Sequence, residues 1–128
     1  MSKLVKHLQQ NHDVILNRFQ LVKRLGIHTM EGRNQLMESR SQLLRHLDTN
    51  RKLFCSQLRN DFRRDPVLLE VIESFELGTQ ILLEFCREFF EKYAQGGGGV
   101  DFFKDFARLK SSFEHQLRRE QYFLRRSM

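Results

Sequence analysis

The chain has 128 residues, the size of one domain, and is long enough to bury a real core. Its apolar share of 40% and charged share of 30% are those of a folded soluble protein, and no stretch approaches the roughly 18 apolar residues of a membrane span. The net charge is +6; one proline, no tryptophan, little Val or Ile and abundant Leu, Arg, Glu, Gln and Phe favour helices over sheets.

The N-terminal "MSKLVKHLQQNHD" lacks the apolar core of about 7–15 residues that a secretory signal carries. Helical spacing begins there: Leu4, Leu8, Ile15, Phe19 and Val22 recur at steps of three, four or their sum, with Asn11 or His12 interrupting. Gly26 and Gly32 bracket "GIHTMEG", which reads as a turn. A second helix is expected from about 33 to 64 on Leu36, Leu43, Leu47, Phe54, Leu58 and Phe62, with Arg45, Lys52, Arg59 and Arg63 on its opposite side.

The clearest boundary is "RRDPVLLE". Asp65 suits an N-cap, and Pro66 suits the first helical position, where its missing N–H costs nothing. The helix that follows, about 66–94, carries the strongest periodicity: Leu68, Ile72, Phe75, Thr79, Leu82, Cys86, Phe89 and Tyr93 alternate steps of four and three. Val71, Phe85 and Phe90 widen that stripe toward a second neighbour, and Glu70, Glu73, Glu84, Glu88 and Glu91 line the far side. After the glycine run, Phe102, Phe106, Leu109, Phe113, Leu117 and Leu124 keep helical spacing, with Glu120 interrupting and Asp101 a candidate cap.

Four helices of similar length with short connections predict an all-α fold, an antiparallel four-helix bundle with coiled-coil-like seams. The alternative is a long helical hairpin that dimerises and completes its core in trans. The helix-packing core is expected to comprise Leu68, Ile72, Phe75, Leu82, Phe89, Phe106, Leu109, Phe113 and Leu117. "AQGGGGVD" divides a three-helix segment, 1–95, from a fourth amphipathic helix, 100–128. Gly96 to Gly99 fits both an engineered linker and a native low-complexity loop, because four consecutive glycines add unfolded-state entropy that an ordinary helical turn avoids.

The charge is blocked, not uniform. Residues 1–64 carry thirteen Lys/Arg against five Asp/Glu, residues 65–95 two against seven, and residues 96–128 seven against four. An acidic helix between basic ones gains from opposite charges flanking the apolar seams. The stripe of Arg45, Lys52, Arg59 and Arg63 is left to solvent, an acidic partner or phosphates. Near the end, Arg118, Arg119, Arg125 and Arg126 surround Tyr122 and Phe123, an interleaving that suits a nucleic acid or an anionic membrane surface as well as a solvated helix end.

Motifs for chemistry are missing from the sequence. Cys55 and Cys86 are solitary, which predicts two buried free thiols in a reducing, intracellular compartment, cytoplasmic or nuclear. His7, His12, His28, His46 and His115 are scattered, none in a metal-binding pair four apart, and Glu-x-x-His does not occur. These histidines are expected at the surface or at caps. The glycine run has no following Lys-Ser/Thr, so it is not a phosphate cradle.

No catalytic residue, metal or cofactor is therefore expected. Twelve phenylalanines exceed what a thin seam needs. They either fill one four-helix core or leave some exposed, with Phe90 and Phe103 beside the glycines the candidates for a docking patch. The function expected is a non-catalytic protein–protein interaction module, an adaptor or subunit of an intracellular assembly, able to form a homo-oligomer. The alternative is a basic helical protein binding nucleic acid or anionic membrane through Arg45, Lys52, Arg59, Arg63 and the four late arginines.

Overall fold

The computed structural model describes residues 3–94 and 99–126, and every regular element in them is helical. α1 (Lys3–Leu25) stops at Gly26, which takes a φ of +72° and donates its N–H to the Val22 carbonyl at 2.8 Å. That left-handed residue is the common helix stop that glycine supplies without a steric penalty. α2 (Met30–Thr49) starts about three residues earlier than the sequence suggests, because Thr29 caps it: the Thr29 hydroxyl oxygen accepts from the Gly32 N–H at 3.0 Å. Gly32 is therefore helical and buried, not the end of the turn.

α2 runs into a π-helical turn (Asn50–Phe54) and then α3 (Cys55–Asp61). The backbone stays in the right-handed helical region at Thr49, Asn50, Phe54 and Cys55, so the three pieces form one continuous rod. The rod ends at Asp61, about three residues before the expected stop. Asp65 then caps α4 (Pro66–Lys92) by accepting from the Leu68 N–H at 3.1 Å, with Pro66 in the first turn as its ring geometry favours. α5 (Val100–Arg126) follows Gly99, whose φ is +78°. Asp101 lies inside its first turn and does not act as the cap. The rest of the glycine run, 96–98, falls outside the described residues, and with it the question of what kind of connector it is.

Two apolar clusters form the core. One gathers Ile15, Phe19 and Val22 of α1, Leu36, Leu43 and Leu47 of α2, Leu82, Leu83, Cys86, Phe89, Phe90 and Tyr93 on the α4 side, and Phe102, Phe106, Leu109, Phe113 and Leu117 of α5. The other joins Val5 and Leu8 to Phe54, Cys55, Leu58, Ile72, Phe75, Phe123 and Leu124. Nine of the twelve phenylalanines are buried. Their rings meet edge to face, as Phe19 and Phe106 do at 5.5 Å and 83°, or stack, as Phe102 and Phe106 do at 5.4 Å and 11°, arrangements that suit the ring quadrupole when the stack is offset.

Two expectations about individual residues are corrected. Phe90 is 1% exposed, not part of a docking patch. It lies two helical turns beyond Leu83 on the same face of α4, and a seven-residue step returns a side chain to nearly the same azimuth. Leu68 is only half-buried; in the first turn of α4 it is Leu69 that packs against the second cluster. No described helix is long and apolar enough to cross a membrane.

Candidate functional site

The core is interrupted by a buried polar chain that crosses it. Gln116 of α5 is 6% exposed and donates through Nε2 to the Phe75 carbonyl at 2.8 Å and to Thr79 Oγ1 at 2.9 Å. The Thr79 hydroxyl faces both the Phe75 carbonyl, at 3.2 Å, and Asn50 Oδ1, at 3.4 Å. Asn50 Nδ2 then donates to Glu120 Oε1 at 2.7 Å. The other carboxylate oxygen, Oε2, lies 2.7 Å from His12 Nε2 and 3.2 Å from His46 Nε2. All of α1, α2, α4 and α5 contribute.

The π turn belongs to this arrangement. It opens at Asn50, whose carbonyl accepts from the Cys55 N–H, and the one extra residue keeps Asn50, Phe54 and Cys55 all buried. Such turns are frequent where a helix must aim a side chain.

Burial pushes the Glu120 carboxyl up, but hydrogen bonds and charge from His12 and His46 outweigh it and bring it down to about 2. An ionised carboxylate only accepts, so each imidazole presents a protonated Nε2 to it. His46 Nδ1 is buried without a hydrogen-bond partner among the described residues. The two rings touch edge to face, 5.1 Å between centroids.

Above Gln116, the surface between α4 and α5 opens into a groove of about 540 Å³. Its α4 wall carries Gly78, Ile81 and Phe85; its α5 wall carries Arg108, His115, Arg118 and Arg119. A second hollow continues it past Val71 and Tyr122. Ile81 is 59% exposed and Val71 40%. Gly78 lets the walls approach: a Cβ there would come within 2.6 Å of Arg119 Nη1 and 2.8 Å of Gln116 Oε1.

The Arg108 guanidinium lies 5.5 Å from the Phe85 ring centroid, and that of Arg119 5.9 Å from Phe75, with Arg119 Nη2 donating to Ser74 Oγ at 3.0 Å. Neither they nor Arg118 forms an ion pair with a described carboxylate.

The sequence-selected residues are dispersed over this frame. Arg118 and Arg119 stand in the groove, Arg118 exposed and Arg119 half-buried. Arg125 and Arg126 are exposed at the end of α5, and Arg126 packs over Tyr122 at 4.7 Å. Arg45, Lys52, Arg59 and Arg63 are exposed. Lys52 pairs with Asp48 at 3.1 Å and Arg59 with Glu76 of α4, so part of that stripe is spent on neighbours within the chain. Phe103 is 55% exposed, far from Phe90 in character, and lines a hollow with Ile27 and Arg33.

The expectation that the histidines lie at the surface or at caps is wrong for His12, at 5% exposure, and His46, at 1%. Glu120, read as a break in the α5 stripe, is buried at 2%. The signal was that very break: a polar residue at a core azimuth. Its meaning depends on partners up to 108 residues away. No family model, curated protein or solved structure matches the chain.

Proposed function

We propose that the protein is a non-catalytic protein–protein interaction module of an intracellular assembly, cytoplasmic or nuclear, and that the α4/α5 groove is where it docks its partner. The supporting frame is an antiparallel four-helix bundle. That reading is supported by the membership of the second cluster, in which the start of α1 meets the π turn and α3, the first half of α4 and the end of α5. The single observation that carries the function is the groove, where exposed Val71, Ile81 and half-buried Phe85 face three arginines without described ion-pair partners.

The occupant fitting this chemistry is an amphipathic helix of another protein. Its apolar stripe covers Ile81 and Phe85, and its acidic edge meets Arg108, Arg118 and Arg119. Apolar burial supplies the affinity and charge selects the orientation.

The test is NMR titration of the whole chain with two synthetic amphipathic helices that share one apolar face, one flanked by Glu and the other by Lys. The Glu-flanked helix is expected to bind, shifting the resonances of Ile81, Phe85, His115 and Tyr122. Ile81→Asp is expected to abolish binding, and salt between about 50 and 200 mM to weaken it only modestly, because few charges are neutralised. Equal binding of both helices, or of neither, sinks the groove reading. Binding confined to DNA, RNA or acidic vesicles, falling by about 10³-fold or more over that salt range, establishes the basic-surface alternative instead.

A further inference from the structure

The centre of the core holds His12, His46 and Glu120, all buried, with one ligand nitrogen or oxygen from each lying within 4.8 Å of the others. We propose that these three side chains are the protein ligands of one divalent transition-metal ion, zinc in its simplest form, which ties α1, α2 and α5 together at their crossing point. The donor set selects this class. Two imidazoles with one carboxylate suit zinc and its first-row neighbours, whereas calcium and magnesium take oxygen ligands almost throughout.

The geometry is close to what the ion needs. Tetrahedral bonds of about 2.0–2.2 Å place neighbouring ligand atoms about 3.4 Å apart. Glu120 Oε2 stands 2.7 Å from His12 Nε2 and 3.2 Å from His46 Nε2, held by protons an ion would replace. Binding asks the oxygen to draw back from the rings, by up to about 0.7 Å, and the two imidazole ligand atoms, within 4.8 Å, to settle at the same spacing. Water supplies the fourth ligand.

Support behind the ligands is uneven, and it sets the affinity. Asn50 Nδ2 holds the far oxygen of Glu120, and Asn50 is itself engaged by Thr79. This is the backing that orients a ligating carboxylate. His46 lacks it. Once Nε2 binds the ion, the proton sits on Nδ1, which has no acceptor among the described residues. A missing outer partner lowers affinity about 10- to 100-fold, so the site is expected to bind zinc more weakly than one with both histidines braced.

Chelator-stripped whole chain titrated with Zn²⁺ by calorimetry at pH 7, and with Co²⁺ by visible absorption, tests this. The expected result is one ion per chain, a tetrahedral Co²⁺ spectrum, and a rise in thermal midpoint that depends on metal concentration. In His12→Gln and Glu120→Gln, affinity is expected to fall at least about 10-fold. These changes leave polar side chains in place; should either variant fail to fold, imidazole NMR of the wild-type chain decides. Zn²⁺ must then shift two of the five histidine rings, those of His12 and His46, and leave His7, His28 and His115 unmoved. No stoichiometric uptake, or uptake that shifts only the three exposed rings, overturns the proposal.

Discussion

At the scale of single residues, burial decides chemistry that composition leaves neutral. Cys55 and Cys86 are both buried free thiols. Desolvation, the dominant cause for each, raises the Cys55 thiol to about 11 and Cys86 to about 12, against an ordinary value of 9.0. The thiolate is the reactive form, so at pH 8 a thiol-reactive disulfide reagent is expected to label the native chain only as fast as it opens, and to label it at once in denaturant. Rapid labelling of folded protein would contradict the burial. The sign of the linkage follows. Above about pH 9 the unfolded thiols lose protons that the folded ones keep, so their effect on stability is absent below pH 9 and grows increasingly unfavourable as pH rises toward 11–12. Urea midpoints measured from pH 8 to pH 11 are expected to fall, and to fall less in a Cys55→Ala, Cys86→Ala double variant.

At the scale of elements, Asp65 with Pro66 was legible because a cap and a first-turn proline act within four residues of each other. The α1–α2 connection was half legible. Gly26 needs its positive φ, but Gly32 is glycine for a different reason: a Cβ there would overlap the Gly26 carbonyl oxygen. Since backbone cannot swing aside as a side chain can, Gly32→Ala is expected to destabilise the chain by about 1–3 kcal/mol despite alanine's better helix propensity. Urea denaturation checks it, and an unchanged midpoint would mean the turn does not rest on α2. The π turn was invisible in the sequence. Leu47 and Phe54 are seven apart, a step that reads as ordinary helix, and the inserted residue shows only in the Asn50–Cys55 hydrogen bond.

For the whole molecule, the apolar stripes on α4 and α5 predict where a charge cannot be tolerated. Leu82 and Phe106 are 4% and 5% exposed, in one cluster. Leu82→Asp or Phe106→Asp buries an unpaired carboxylate and is expected to abolish cooperative thermal unfolding. Phe103→Asp, three residues away and 55% exposed, is expected to change stability by no more than about 0.5 kcal/mol. Calorimetric scans of the three variants separate these outcomes; a wild-type melt from either core variant would displace that residue from the core. The charge blocks matter at this scale as well. Arg59 with Glu76 joins the acidic α4 to its basic neighbour α3, whereas Lys92 of α4 with Asp105 of α5, at 3.0 Å, runs against the blocks. Being partly solvated, such pairs choose register more than they add stability.

By itself the sequence determined the helices, their amphipathic faces, most of the core and the α4 cap. Each of these depends on residues within a turn or two of one another, where covalent geometry sets the spacing. Only the tertiary structure decided that His12, His46, Asn50 and Glu120 converge, that Phe90 turns inward while Val71 and Ile81 remain at the surface, and that α4 and α5 leave a groove between them. A polar side chain on a core face looks the same in sequence whether it is a flaw or one member of a set. The difference is made by partners on other helices, and nothing in the local spacing carries their positions.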